Sequence, residues 1–383
     1  LFVFFEVLLI ASYGLLLSGG RGPRVRVGFQ YVVFNVTAST LFLVALGLLY
    51  GLLGVLNMHE MGARIAAAPA EQHGLILAAK AALLPMYLWL PQTYARSPAP
   101  VAALFAIMTK LGIYAILRVY TLLYGEDAGP LSGWAADWLL PAGAIALVLA
   151  SLGAVAASSL RGLAAYLVVG SAATLFIVLG LDAPVSTGPG LYYLVHSTFA
   201  AAALFLLADL IRRRRGSAGD SLKALTPVPN RGLFGALYLP IGVSLVGLPP
   251  LSGFVGKFTL LASMENAQAA WLWPLILICS LLTLIAMARA GSRLFWKSGS
   301  VRGDEDTDAE EAAARPARVE LIALGALVAL GIGMSLFANP LLRYGREAAQ
   351  QVHSTQDYRR AVEAATPRLR STTPLAPAAE EAP

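Results

Sequence analysis

Long apolar runs are the feature that most constrains what this chain can fold into. Ten of them recur along its 383 residues, and a helix needs about 20 residues to cross a bilayer core of roughly 30 Å. They cover approximately residues 1–18, 27–55, 73–90, 98–124, 135–155, 161–181, 188–211, 232–264, 270–288 and 319–338. Because lipid offers the backbone no water to bond, each run is predicted to be a helix. The predicted fold class is an all-α polytopic membrane protein.

Composition and charge agree with that class. Hydrophobic residues make up 57% of the chain and charged residues only 13%, against roughly 25% charged in soluble domains, which argues against an ordinary soluble enzyme. With the loop after the first run placed inside the cell, every Lys and Arg of the short loops except Arg64 also falls inside, as the positive-inside rule requires. The net charge of +6 therefore reflects the orientation of the chain in the membrane, and we expect no nucleic-acid partner.

The polar segments and the single cysteine set further expectations. Cys279 alone provides no disulfide framework and no cysteine metal cluster. The composition of residues 298–318 predicts a polar cytoplasmic connector. That of residues 339–383 predicts a polar tail that is disordered or lies loosely at the membrane interface. Leu1 opens inside an apolar run without a basic leader, so we expect helices that precede this piece to be missing.

Ionisable residues inside the apolar runs are the candidates for function, since a charge at the bilayer centre costs about 2.5–3.5 kcal/mol or more. Burial disfavours the charged form of lysine, so that a buried lysine can exchange protons near neutral pH. We interpret Glu6, Lys80, Lys110 and Lys257 as a proton path; the alternative is a buried structural ion pair. His196 suits either a proton shuttle or a helix contact, and no second ligand at metal spacing lies on its helix.

Two further ionisable residues favour a structural interpretation. Arg118 and Asp209 lie nearer the ends of their runs, where snorkelling or interfacial pairing explains them.

Prolines interrupt two of the runs that carry a lysine. Pro85 and Pro91 interrupt the run with Lys80, and Pro249–Pro250 interrupts the run with Lys257. Broken helices in two corresponding halves mark the ion pathway in transporters, although a kink used only for packing is the alternative.

The two broken runs lie five segments apart, which predicts inverted five-helix repeats. Residues 1–124 would be the remainder of the first repeat, 135–297 the second, and 319–338 a final transmembrane helix.

Four stretches carry a resemblance to a known family: LFVFFEVLLIASYGLLL, LAAKAALLPMYLWLPQTYARSPAPVAALFAIMTKLGIYAILRVY, YYLVHSTFAAAALFLLADLI and GLPPLSGFVGKFTLL. From Leu1 to about Pro340 the chain resembles the antiporter-like subunits shared by respiratory complex I and the multi-subunit Mrp-type cation/proton antiporters. It is most similar to the D-type subunit of the latter. The resemblance implies fourteen helices, of which the ten runs would be the fifth to the fourteenth.

The resemblance also implies a role for each candidate residue. Glu6 matches a glutamate that pairs with the lysine of the first broken helix, which is Lys80 here. Lys110 matches a bridging lysine, His196 a histidine of the central proton wire, and Lys257 the terminal residue on the second broken helix.

We therefore expect a proton-translocating subunit of a hetero-oligomeric monovalent cation/proton antiporter in a bacterial inner membrane. It would be a secondary transporter subunit rather than an enzyme, without cofactor or metal. Its partners would be other antiporter subunits, protons, Na⁺ or K⁺, and the lipid bilayer. One alternative is a proton-pumping subunit of complex I (NADH-quinone oxidoreductase) or of a membrane-bound hydrogenase. The other is a scaffold whose buried lysines only fix helix packing.

Overall fold

The computed structural model describes residues 2–18, 22–68, 90–133, 136–223, 227–296 and 318–365, and within these ranges the chain is almost entirely helical. The helices are α1 (Phe2–Leu17), α2 (Gly22–Leu53), α3 (Met58–Ala66), α4 (Leu90–Arg96), α5 (Ala99–Tyr124), α6 (Ala136–Ala156), α7 (Leu160–Leu181), α8 (Pro184–Arg214), α9 (Arg231–Val246), α10 (Ser252–Ala262), α11 (Asn266–Gly291), α12 (Arg318–Leu336), α13 (Ala338–His353) and α14 (Thr355–Ala365). Short segments of other helical types lie at Glu126–Leu131, Gly216–Ala218 and Ser292–Trp296.

Seven helical segments in the described ranges are long and apolar enough to cross a membrane. They are Val25–Leu53, Ala99–Tyr124, Ala136–Ala156, Leu160–Leu181, Pro184–Arg214, Asn266–Trp296 and Arg318–Leu336. The prediction of a helical, multi-pass membrane protein is confirmed, but the count of ten spans is not. The run at 73–90 lies almost wholly outside the described residues, and the first run and the run at 232–264 form shorter helices.

Helix α8 lies at the centre of the bundle. It is 31 residues long, or about 46 Å at 1.5 Å per residue, and it contacts α5, α7, α9, α10, α12 and α13. Its buried residues face every direction, as expected for a helix surrounded by other helices. His196, on this helix, is 2% exposed and therefore lies within protein and not against lipid.

The run at 232–264 is broken into α9 and α10. Gly247 ends α9 in a left-handed conformation, with φ +86°, which glycine adopts without strain. Pro249 and Pro250 follow, and neither can supply the backbone N–H that a continuing helix requires. Val246 and Ser252, on the two sides of the break, are both buried. The break therefore places two helix ends inside the bundle.

The other predicted break, near Lys80 and Pro85, lies outside the described residues. Pro91 is described, as the second residue of the short helix α4.

The prediction of a disordered tail from residue 339 is wrong for residues 339–365, which form α13 and α14. In α13, Leu342, Gly345, Ala349 and Val352 are buried. Their spacing of three and four residues gives the helix one apolar face, which packs on α8. The whole tail is rich in Pro, Ala and charged residues, and this average composition gave no sign of the helical spacing of apolar residues in α13. Residues 366–383 lie outside the described residues.

Helix α13 crosses α8 where Gly345 meets Gly188. A β-carbon on Gly345 would lie 2.9 Å from the Gly188 carbonyl oxygen, so any larger residue must push the two backbones apart. We expect Gly345→Ala to destabilise the protein by about 1–3 kcal/mol, seen as a lower thermal unfolding midpoint in detergent. Gly325→Ala on α12 is the matched control, since no atom lies within 4 Å of its β-carbon position. Equal midpoints for the two variants would contradict the close crossing.

Candidate functional site

Four of the five predicted site residues lie in the described part of the chain, each on a different helix. Glu6 is on α1, Lys110 on α5, His196 on α8 and Lys257 on α10. Lys80 lies outside the described residues, so its predicted pairing with Glu6 is not described either.

Lys110 is buried within a membrane-spanning helix and bonds a serine of a neighbouring helix. Its side chain is 2% exposed, and its ammonium donates a hydrogen bond to the Ser171 hydroxyl on α7. The Ser171 hydroxyl in turn donates to the Val168 carbonyl at 2.7 Å. Burial removes water from the ammonium, and this loss of hydration costs several kcal/mol when nothing replaces it. The bond to Ser171 replaces part of that hydration.

His196 bonds the first residue of the helix that follows the break. Its ring is 2% exposed, and Nδ1 lies 2.9 Å from the Ser252 hydroxyl oxygen. Gly253 makes this approach possible, because a β-carbon there would collide with the Ser244 carbonyl oxygen and lie 3.0 Å from His196 Nε2. The missing side chain lets α10 lie directly against α9 and against the imidazole.

Lys257 bonds the last residue before the break. Its ammonium donates to the Val246 carbonyl at 2.7 Å and to the Ser280 hydroxyl on α11 at 3.0 Å. The last carbonyls of a helix lack intrahelical partners, and the negative end of the helix dipole favours a cation. The break therefore creates an acceptor for the Lys257 ammonium inside the protein.

A partly polar cavity of about 40 Å³ lies beside His196 and Lys257. A single water requires roughly 10–15 Å³ on the same scale, so the cavity has room for a few water molecules. Its polar wall includes Ser171, Thr174, Tyr193, His196, Lys257 and Ser280. We call this space the central cavity. His196 and Lys257 line it directly, and Ser171 lies between it and Lys110.

His196 also lines a second, smaller cavity of about 20 Å³ on its other side. The walls of this second cavity come from α8, α9, α12 and the break, and they are largely apolar, with Ser244 as a polar member. The imidazole therefore lies between two spaces, one polar and one largely apolar.

Glu6 lies apart from the central cavity, near the start of the described chain. Its half-buried carboxylate accepts a hydrogen bond from the Ser39 hydroxyl on α2. Glu6, Lys110, His196 and Lys257 thus lie on four different helices, and each is hydrogen-bonded to a serine of another helix.

The contacts of Arg118 and Asp209 agree with a structural interpretation. The Arg118 guanidinium lies over the Tyr358 ring of α14, 4.7 Å from its centre. Asp209 pairs with Arg212 at 2.8 Å and with Arg213 at 3.0 Å. Within the described ranges no group of three His, Cys, Asp or Glu side chains is placed to hold a metal ion.

The serines are the site residues that sequence reasoning missed. They are Ser39, Ser171, Ser252 and Ser280. A serine in an apolar helix commonly bonds the carbonyl three or four residues earlier, so its presence alone gives no reason to select it. Only the position of Ser252, just after two prolines, offered a signal.

The sequence matches known proteins along most of its length. Residues 1–283 match the family model described as NADH:quinone oxidoreductase/Mrp antiporter, transmembrane. The chain is 34% identical to the D subunit of a probable K(+)/H(+) antiporter of Rhizobium meliloti, over 92% of this chain and 71% of the relative. It is 32% identical to the D subunit of the Na(+)/H(+) antiporter of Alkalihalophilus pseudofirmus, again over 92% and 71%. The D subunit of the Na(+)/H(+) antiporter of Bacillus subtilis is 34% identical over 77% of this chain and 61% of the relative.

Solved structures share the fold. A chain of the Mrp complex from Dietzia sp. superimposes with a TM-score of 0.78 at 23% identity, over 94% of this chain and 75% of that one. A chain of respiratory complex I from Thermus thermophilus gives a TM-score of 0.70 at 23% identity, over 92% and 74%. These identities support a common fold and nothing finer. The family match spans most of the chain and the antiporter relatives exceed 30% identity, so this chain belongs to the NADH:quinone oxidoreductase/Mrp antiporter family.

Proposed function

We propose that this chain is a proton-translocating subunit of a hetero-oligomeric monovalent cation/proton antiporter in a bacterial inner membrane. The observation that carries the proposal is the central cavity, which has room for water and is lined by His196 and Lys257. Ser171, which accepts a hydrogen bond from Lys110, also lines it. The names of the relatives, as K(+)/H(+) and Na(+)/H(+) antiporter subunits, support antiport as the activity. The chain is then a secondary transporter subunit and not an enzyme.

Protons would move by relay between these residues. Glu6 would set how firmly Lys80 holds its proton, and the proton would pass through Lys110 and His196 toward Lys257. His196 and Lys257 line the same cavity, and Lys110 is hydrogen-bonded to Ser171, which lines it too. Because like charges disfavour one another, a proton that reaches one of these groups weakens the hold of its neighbours on theirs. Coupling would be electrostatic and would need no large movement of the helices.

We further propose that the helices belong to two inverted five-helix repeats, at residues 1–124 and 135–297. The connector at 298–318 and the last helix at 319–338 would follow, as part of a fourteen-helix bundle in which the ten runs are the fifth to the fourteenth. Support comes from the helix break at residues 247–251 and from its predicted counterpart near Lys80.

The cation would bind elsewhere in the complex. His196 and Lys257 are basic, and no Asp or Glu of the described chain lines the central cavity, so a cation there would meet positive charge and no carboxylate. We infer that Na⁺ or K⁺ binds in a partner subunit or at an interface shared with one.

A proton-pumping subunit of complex I or of a membrane-bound hydrogenase is the second candidate. The fold likeness to respiratory complex I favours it, but the relatives above 30% identity are antiporter subunits. The two candidates separate in vesicles without an electron donor, where only an antiporter moves protons in response to added Na⁺ or K⁺.

Removal of the Lys110 amine tests the proton path. In everted vesicles that carry the complete complex, we expect Lys110→Ala to reduce cation-dependent dequenching of a pH-sensitive dye by at least about tenfold, as for loss of a proton-transfer group. The control is Lys223→Ala, which changes an exposed lysine after α8. Copurification of the partner subunits establishes assembly. An assembled Lys110→Ala complex that matches this control would contradict the proposal.

Removal of the Glu6 charge tests the gating role. Glu6→Gln keeps the shape of the side chain and a bond to Ser39, but it removes the charge that would act on Lys80. We expect antiport to be lost while the complex still assembles, measured by the same dye assay. Glu60→Gln, which changes an exposed carboxylate on α3, should leave the rate unchanged. Full activity in Glu6→Gln would show that this carboxylate does not gate the path.

A further inference from the structure

The four serines that bond the ionisable residues are not equivalent. His196 and Lys257 line the central cavity themselves, so Ser252 and Ser280 hold groups that already reach its water-sized space. Lys110 is not among the residues that line this cavity, whereas Ser171 is. The Lys110 ammonium bonds the Ser171 hydroxyl, which places that hydroxyl between the lysine and the cavity.

We propose that the Ser171 hydroxyl relays protons between Lys110 and the central cavity. The inference rests on the proposed function and adds to it a residue that the ionisable groups alone would not identify. Ser171 would be required for proton movement although it carries no charge.

The chemistry of a hydroxyl suits this position. An ammonium can only donate hydrogen bonds, whereas a serine hydroxyl has one donor and two acceptor lone pairs. In the relay an N–H bond of the Lys110 ammonium breaks and the proton forms a bond to Ser171 Oγ. The original Oγ–H bond breaks at the same time, and that proton passes to a water in the cavity. Lys110 becomes neutral, the water becomes hydronium, and the serine is unchanged.

The relay requires the hydroxyl to turn, and its surroundings allow that. In the structure the Ser171 hydroxyl donates to the Val168 carbonyl, 2.7 Å away on its own helix. That carbonyl lies inside α7 and also accepts the backbone bond of the helix, so it keeps a partner when the hydroxyl leaves. The rotation exchanges this contact for a bond to water in the cavity that Ser171 lines.

Two substitutions at Ser171 test the relay in the complete complex in everted vesicles. Ser171→Ala removes the hydroxyl and should reduce the initial rate of cation-dependent proton flux roughly ten- to hundredfold. Ser171→Thr retains a hydroxyl, so it should restore most of the rate. Ser151→Ala is the matched control, because Ser151 is also buried and donates to a carbonyl three residues earlier, at 2.8 Å, but lines neither cavity.

An isosteric pair keeps the test decisive if Ser171→Ala does not assemble. Ser171→Val has the shape of threonine without the hydroxyl, so Ser171→Thr should be active and Ser171→Val slow. Equal rates for these two variants, or a Ser171→Ala rate equal to that of Ser151→Ala, would overturn the relay.

Lys110→Ala measured alongside separates the two proposals. If Lys110→Ala stops proton flux and loss of the Ser171 hydroxyl does not, only the relay fails. If Lys110→Ala itself leaves the flux unchanged, the proposed path through Lys110 fails, and the relay fails with it.

Discussion

An ionisable side chain inside a bilayer must find its polar partners in the protein, and the centre of this molecule is organised by that requirement. Helix α8 is surrounded by six other helices, which keeps lipid away from His196. Around it, the hydroxyl groups of neighbouring helices bond the lysines. These are neutral groups, so within the described part of the chain the two lysines are bonded without a counter-charge. Held in that way, a basic residue remains able to gain or lose a proton.

The break between α9 and α10 supplies partners for two of these residues. The end of α9 offers the Val246 carbonyl to the Lys257 ammonium, and the start of α10 offers the Ser252 hydroxyl to the His196 ring. A continuous helix would have used that carbonyl in its own backbone bonding. By breaking the helix, the prolines thus provide a hydrogen-bond partner for Lys257 and another for His196. Movement at the break would reach the imidazole and the ammonium together.

Sequence reasoning reached the class of fold and the family, and it selected Lys110 and His196, which the structure shows to be buried, because each has a strong physical signature. Apolar length predicts spans, and a lysine such as Lys110 in an apolar helix is costly enough to demand an explanation. It did not reach Ser171, because a hydroxyl in a helix is inexpensive and only its position between Lys110 and the cavity makes it notable. It also missed α13, whose period of apolar residues is hidden within a polar composition.

The central claim is that protons cross this chain through its buried basic residues, and Lys257 offers the most direct test because it would be the far end of the path. The measurement is the initial rate of proton uptake driven by a Na⁺ or K⁺ gradient, in proteoliposomes that contain the complete complex with Lys257→Ala. The account predicts that flux is lost while all subunits remain assembled, since the path then has no terminal acceptor. A rate equal to that of the unmodified complex would contradict the account and place the proton route in another subunit.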